Sequence, residues 1–146
     1  MATYSFQDVV ASLVGPGGEI DLGYGAAVAE EGITISFNQD RNVQRIGADG
    51  EGMNTLRANK SGTVTVRLLK TSPVNQQLTN LYNAQSQTSA LWGQNVITVR
   101  NTSSGDIGAA RECAFVKFPD ITYAQDGDTY EWQFHSVKID PTLGTY

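Results

Sequence analysis

The chain has 146 residues and a mass of 15.7 kDa, which fits a single domain spanning residues 1–146. Charged residues make up only 17% of the sequence and the formal net charge is −5, so a basic surface that binds nucleic-acid phosphates tightly is not expected. The single cysteine, Cys113, excludes an internal disulfide bond and a zinc site made of cysteines.

Alternating apolar and polar residues predict that most of the chain forms β-strands with one buried face. In chain order, the predicted strands cover residues 4–14, 19–22, 33–37, 63–68, 94–101 and 129–139. Gly15-Pro16-Gly17-Gly18 is typical of a turn after the first strand, and Asp126-Gly127 predicts a hairpin turn before the last one. Tyr130, Trp132 and Phe134 should share one face of that last strand.

One segment has helical spacing instead. Val74, Leu78 and Leu81 recur at intervals of three and four residues, and Ser72 is a good N-cap for a helix over residues 72–85. The apolar stripe of this helix should cover a sheet. The pattern therefore predicts an all-β fold with a single packed helix.

Residues 38–62 form a stretch that is long for a structureless connection and contains four glycines. Its spaced apolar residues exceed what a linker requires, and a short strand around residues 43–46 fits the sequence. We expect it to act as an arm toward another subunit, whereas a hairpin packed on its own subunit is the alternative. The expected contact residues are Arg41, Val43, Arg45, Ile46, Met53, Leu56 and Arg57.

Charge is distributed unevenly along the chain. Residues 1–38 carry five acids and no base, residues 39–117 carry nine bases and five acids, and residues 118–146 carry one base and five acids. A basic middle flanked by acidic ends suits self-association through complementary charges. Scattered, solvated charge is the alternative interpretation.

Residues suited to catalysis or metal binding are few. His135 is the only histidine and is out of phase with the aromatic face of its predicted strand, which indicates a surface or interface position. Apolar neighbours indicate that Cys113 is a buried thiol rather than a nucleophile. The acids Glu30-Glu31 could serve a hydrolase, while Asp126-Gly127-Asp128 fits turn chemistry better. We therefore expect no enzyme activity, no cofactor and no metal ion.

Targeting signals are not expected. The first eight residues contain no basic residue and no apolar run of signal-peptide length. No apolar segment reaches the roughly 18 residues that a membrane helix needs. We expect synthesis in the cytosol and no association with a membrane.

Five stretches, in order along the chain, resemble the tail tube proteins of contractile-tailed bacteriophages. They are residues 14–18 (VGPGG), 29–35 (AEEGITI), 46–53 (IGADGEGM), 60–75 (KSGTVTVRLLKTSPVN) and 92–95 (WGQN). The resemblance implies a mainly β subunit, a β-sandwich or half-barrel with one flanking α-helix. It also implies that six subunits form a ring by joining their inner strands into one β-barrel, and that stacked rings form a tube for DNA.

The resemblance further implies a structural virion protein of the phage tail, made in the host cytoplasm. Its partners would be further copies of itself, the tail sheath protein, the tape measure protein and the baseplate, with DNA as passing cargo only. A secreted hexameric ring of a type VI secretion-like system is the nearest alternative. A small soluble β-barrel that binds a ligand is another, with Trp92, Tyr130 and Trp132 as candidate lining residues, although core packing also explains these aromatics.

Overall fold

A computed structural model describes residues 2–146, and most of its regular structure is β-strand. A short 3-10 helix, Phe6–Asp8, precedes the first strand. The further elements are β1 (Val9–Gly15), β2 (Gly18–Asp21), β3 (Val28–Phe37), β4 (Asn42–Ile46), β5 (Gly52–Leu56), β6 (Gly62–Leu69), α1 (Val74–Gln85), β7 (Asn95–Asn101), β8 (Ile107–Phe115) and β9 (Thr129–Thr142).

Seven of the strands form one antiparallel sheet in the order β2-β1-β7-β8-β9-β6-β3. The sheet curls into a half-barrel, and α1 contributes to the core on its apolar side. The strands β4 and β5 pair only with each other. The predicted fold class, mainly β with a half-barrel sheet and one helix, is confirmed.

Strand β6 shows how the alternating pattern builds the core. Val64, Val66 and Leu68 are each 0% exposed. On the neighbouring strand β9, Phe134 lies opposite Val64 and Trp132 lies opposite Val66, so four large side chains meet on one face. The predicted phase of both strands is confirmed.

Helix α1 begins at Val74, two residues after the predicted start. The N-cap position is Pro73, which makes no side-chain capping bond, so the predicted N-cap Ser72 is wrong by one residue, although its Oγ accepts a hydrogen bond from the Val74 N–H at 3.3 Å. The same hydroxyl donates to the carbonyl of Ala26 at 2.6 Å. On the sheet side, Trp132 Nε1 donates to Asn75 Oδ1 at 3.1 Å, which fixes the helix over β9.

The first predicted strand, residues 4–14, is wrong at its N-terminal end. The Ser5 Oγ accepts a hydrogen bond from the Gln7 N–H at 3.1 Å and caps the 3-10 helix Phe6–Asp8. Such local side-chain bonds compete with extended backbone. The strand therefore begins only at Val9.

Strand β8, Ile107–Phe115, was not expected from the sequence although it lies inside the sheet. Its register against β7 shifts between Ala110 and Cys113. Within this bulge, Glu112 has a φ of 52°, which lies in the left-handed region. The extra residue interrupts the period of two, so the apolar positions of the strand do not alternate regularly.

The predicted hairpin turn at Asp126-Gly127 is wrong. Strand β8 ends at Phe115 and its antiparallel neighbour β9 begins at Thr129, so residues 116–128 form a long connection rather than a two-residue turn. At the end of this loop, the Asp128 side chain accepts a hydrogen bond from the Thr129 N–H at 2.8 Å. Asp126 and Gly127 therefore lie near the end of a long loop between β8 and β9 instead of forming a tight turn.

Residues 38–62 are not structureless, since they contain the β4–β5 hairpin. The strand suggested at residues 43–46 is confirmed as part of β4. The hairpin leaves the main sheet at the end of β3 and returns at the start of β6. At its base, Asn38 Nδ2 donates to Ser61 Oγ at 3.2 Å.

Candidate assembly surfaces

The tip of the β4–β5 hairpin is a defined turn over residues 47–51. The Gly47 N–H donates to the Glu51 carbonyl at 2.7 Å, and the Gly50 N–H donates to the Gly47 carbonyl at 3.0 Å. Gly50 has a φ of 89°, which favours glycine. Asp49 Oδ1 accepts a hydrogen bond from the Glu51 N–H at 3.1 Å. These bonds fix the register of the two strands.

That register divides the seven predicted contact residues between two faces of the hairpin. Arg45 lies opposite Met53, and the ladder continues to the base, where the Arg57 N–H donates to the Arg41 carbonyl at 2.8 Å. Directly opposite residues project to the same face, and successive residues alternate between faces. The basic face comprises Arg41, Val43, Arg45, Met53, Thr55 and Arg57. The amide face comprises Asn42, Gln44, Ile46, Asn54 and Leu56.

Both faces are largely exposed. Ile46, Met53 and Leu56 are 61%, 58% and 77% exposed, and only Val43 is half-buried. Within residues 2–146, the salt bridges include none of the three hairpin arginines. The hairpin therefore leaves most of its apolar side chains exposed. The alternative interpretation, a hairpin packed on its own subunit, requires these side chains to be buried.

A second surface is a groove of about 860 Å³ beside strand β3. Its lining is mainly apolar and includes Phe37 and Ile107, which are 51% and 45% exposed. Carboxylates also line it, and none of its lining residues in the described chain is basic. We call it the acidic groove and define it by Glu30, Glu31, Ile33, Phe37, Asp106 and Ile107.

The C-terminal residues form one wall of this groove. Asp106 Oδ1 accepts a hydrogen bond from the Gly144 N–H at 2.6 Å. Asn101 Nδ2 donates to the Tyr146 hydroxyl at 3.2 Å. Leu143, between these anchors and the end of β9, is 85% exposed. The tail is thus held in place while an apolar side chain projects from it.

The half-barrel also has a polar face, opposite the core, on strands β3, β6 and β9. Arg67 lies 3.8 Å from the Glu131 carboxylate and donates to Thr34 Oγ1 at 3.2 Å, while Gln133 donates to Glu131 at 2.9 Å. The arginine and the glutamate of this face are therefore paired with each other. The polar face comprises Thr34, Ser36, Thr63, Thr65, Arg67, Glu131, Gln133 and His135.

The outer edge of β3 is a further candidate surface. Strand β3 spans ten residues and ends the sheet, and within residues 2–146 its one neighbouring strand is β6. Backbone N–H and C=O groups along such an edge can pair with a strand of another chain. The opposite edge is the shorter β2, which has four residues and packs near α1.

The side chains considered above for catalysis or metal binding do not come together in a reactive site in the described part of the chain. Cys113 is fully buried, and burial raises the pKa of its thiol, which disfavours a nucleophilic thiolate. His135 is exposed on the polar face, as expected. Across residues 2–146, no group of three or more His, Cys, Asp or Glu side chains could hold a metal ion. Over the same residues, no helix has the length and apolar character needed to cross a membrane.

The aromatic residues considered for a ligand site belong mainly to the core. Trp132 is 1% exposed, and its ring centroid lies 6.0 Å from that of Phe115. Trp92 is half-buried and packs on Tyr82 at 5.9 Å in an edge-to-face arrangement. Tyr130 is partly buried on the core face of β9. The packing explanation of these aromatics is confirmed.

The acidic groove was not anticipated from the sequence. Glu30 and Glu31 drew attention only as an acid pair, and Ile107 lies in the unpredicted strand β8. A usable signal was the pair of carboxylates directly before the apolar Ile33, Ile35 and their alternating neighbours. The signal does not show that β8 and the C-terminus complete a groove.

Chains in solved structures of a tail, a sheath–tube complex and a baseplate share this fold. One is a chain from the tail of an empty GTA particle, refined with C6 symmetry. It is 14% identical to this chain with a TM-score of 0.62, and the alignment covers 99% of that chain and 99% of this one. A chain from a sheath–tube complex of an extracellular contractile injection system (PVC) is 13% identical with a TM-score of 0.59, and the alignment covers 88% of that chain and 92% of this one. A chain from the anti-feeding prophage baseplate is 12% identical with a TM-score of 0.57, and the alignment covers 97% of each chain.

Sequence comparison gives the family. No curated protein matches the chain. The family described as "Bacteriophage PhiTE tail tube protein" matches residues 1–144, which is nearly the whole sequence. The match extends over the hairpin, the acidic groove and every strand of the half-barrel. The chain therefore belongs to the PhiTE tail tube protein family of bacteriophages.

Proposed function

We propose that this chain is the structural subunit of the inner tube of a contractile phage tail and has no catalytic role. The match of the tail tube family over residues 1–144 is the observation that carries the proposal. Six subunits form each ring, and the rings stack into the tube. The C6 symmetry of the similar GTA tail supports this number.

The open edge of β3 supports closure of the ring. A ten-residue edge strand would otherwise remain unpaired in every subunit. Pairing this edge with a strand of the adjacent subunit extends the half-barrel, and six such joints close a β-barrel. The polar face then lines the lumen, because the opposite face of the same strands is buried in the subunit core.

The β4–β5 hairpin serves as the arm between subunits or rings. It projects exposed apolar and basic residues on a separate two-stranded sheet. An isolated hairpin of this size is marginally stable in water, so contacts with another subunit would stabilise it. The residues that carry the arm contacts are Arg41, Val43, Arg45, Ile46, Met53, Leu56 and Arg57.

The tube conducts DNA as passing cargo during ejection and does not bind it. The polar face consists of hydroxyl, amide and imidazole groups plus one paired base and carboxylate. A net charge of −5 also disfavours retention of phosphates. The sheath, the baseplate and the tape measure protein are the further partners, and sheath–tube and baseplate assemblies among the similar structures support the first two.

The protein resides in the tail of the virion and is made in the host cytoplasm. The phage family match supports a tail tube over the secreted ring of a type VI secretion-like system, which would share the fold. A ligand-binding β-barrel is less well supported, because Trp132 fills the core.

Negative-stain electron microscopy and sedimentation of the purified chain test the proposal. We expect rings with sixfold symmetry that stack into tubes as the protein concentration rises. A chain that remains a 15.7-kDa monomer at high concentration contradicts the proposal.

A further inference from the structure

We infer that the basic face of the hairpin of one subunit binds in the acidic groove of a second copy of this chain. The inference rests on the proposed function and names the partner surface of the arm. It depends on two properties of the exposed surfaces in the isolated subunit, their charge and their apolar character.

Charge is the first property. The basic face carries three arginines at Arg41, Arg45 and Arg57, and no carboxylate belongs to it. The acidic groove carries Glu30 and Glu31, which are exposed, together with Asp106. In the part of the chain that the structure describes, the salt bridges include none of the hairpin arginines and neither glutamate. Each surface therefore lacks the counter-charges that the other one supplies.

Apolar character is the second property. Met53 is 58% exposed and lies directly opposite Arg45 on the basic face. In the groove, Phe37 and Ile107 are about half exposed. A mainly apolar groove with a few charged groups suits an extended segment that buries alternate side chains and pairs the intervening charges. The amide face has no charged residue, so it offers the carboxylates neutral amide donors but no counter-charge.

A second copy is required because the subunit does not make this contact itself. The hairpin begins at Asn42, five positions after Phe37, which lines the groove, yet Met53 remains exposed. The basic face and the groove are different surfaces of one chain, so the contact is heterologous. Heterologous contacts repeat from copy to copy and generate closed rings or open stacks, as a tube needs.

Charge exchange tests the contact. Arg41→Glu/Arg45→Glu should raise the critical concentration for assembly by about tenfold or more, because like charges then face each other. Glu30→Arg/Glu31→Arg should have a similar effect. Combining the four substitutions in one chain should restore assembly to within about threefold of wild type, since the two surfaces are complementary again.

A charge-matched control separates pairing from net charge. Arg41→Glu/Arg45→Glu combined with Asp120→Arg/Asp126→Arg has the same net charge as the rescued chain, but its new arginines lie on the exposed 116–128 loop. We expect no rescue from this combination. Rescue by both combinations would mean that only net charge matters and would overturn the inference. Thermal melting of each variant checks that the subunit remains folded.

Cysteine cross-linking tests the placement directly. Tubes assembled from a tagged Met53→Cys chain and an untagged Ile107→Cys chain should form a tagged–untagged disulfide on oxidation. Leu56→Cys, on the amide face, is the matched control and should cross-link at least about tenfold less. The native Cys113 is fully buried and should not interfere.

The outcomes distinguish the inference from the proposed function. A wild-type chain that never assembles contradicts both. Normal tubes without rescue by charge exchange, or with equal cross-linking from Leu56→Cys, contradict only the inference. Normal tubes in which Ile107→Cys never cross-links to Met53→Cys leave the groove to another occupant, such as the sheath, and overturn it as well.

Discussion

Among single residues, two buried amides connect elements that lie far apart in the sequence. Gln85 and Asn95 are both 0% exposed and exchange hydrogen bonds of 2.7 and 2.8 Å. Gln85 also donates to the Pro16 carbonyl, and Asn95 to the Cys113 carbonyl, each at 3.2 Å. A Cβ atom at Gly15 would collide with the Asn95 side chain. The pair thus joins α1, β7, β8 and the first turn with every donor satisfied.

At the same scale, Val66→Asp should prevent folding of the subunit. Val66 is 0% exposed and lies opposite Ile33 and Trp132, so the new carboxylate would be buried without a partner. Such a charge costs about 3–5 kcal/mol, a large share of the stability of a domain. Soluble yield and thermal melting measure the effect.

Thr63→Asp is the control for this substitution, because Thr63 lies on the polar face of the same strand. We expect this variant to be soluble and to melt near the wild-type temperature. An unchanged melting temperature for Val66→Asp would show that the assigned face of β6 is wrong.

Among the elements, regular alternation and helical spacing were sufficient to predict strands and the helix wherever no bulge or local hydrogen bond interrupted the pattern. Strand β6 and the aromatic half of β9 follow a period of two, and α1 follows its apolar stripe, so all three were predictable. Strand β8 was not, because Glu112 sits in a bulge that resets its alternation. The 3-10 helix depends on one hydroxyl, that of Ser5, which propensity does not reveal.

The hairpin is the element on which assembly should depend. Replacing residues 43–56 with a Gly-Ser bridge should leave the subunit folded, because β4 and β5 pair only with each other and are largely exposed. The variant should form no tubes, since it lacks all the exposed apolar side chains of the arm. Thermal melting and electron microscopy measure the two effects separately.

A milder hairpin variant controls for this deletion. Gln44→Ser/Asn54→Ser changes two opposite residues of the amide face but keeps its strands and its apolar side chains. We expect it to form tubes as the wild type does. If the deletion variant polymerises normally, the hairpin is not an arm.

For the molecule as a whole, composition and order of motifs were enough to indicate the family but not the contact surfaces. The seven residues proposed as arm contacts were chosen for their apolar and basic character. Their division into two faces could not, because it depends on the register that places Arg45 opposite Met53. The acidic groove depends on still longer range, since it joins Glu30 to Asp106 and to the C-terminal wall.

Assembled tubes, in which the hairpin arginines are proposed to be paired, should show no measurable binding to duplex DNA at physiological salt. The net charge of each chain is −5, and the polar face proposed to line the lumen has its one arginine, Arg67, beside Glu131. Non-specific binding requires several cations that release counterions from the phosphates, and this face offers none in excess. Fluorescence anisotropy with a labelled duplex, at low and physiological salt, measures the affinity of assembled tubes.

Glu131→Arg provides the positive control for this measurement, because it makes the polar face basic in every subunit of a ring. This variant should bind duplex DNA, and the binding should weaken steeply as salt rises, with a slope set by the number of phosphates contacted. The wild-type chain should then differ from it in the same assay. Salt-sensitive wild-type binding with a dissociation constant of about 10⁻⁶ M, the tight end of the non-specific range, would contradict a conduit that lets DNA pass freely.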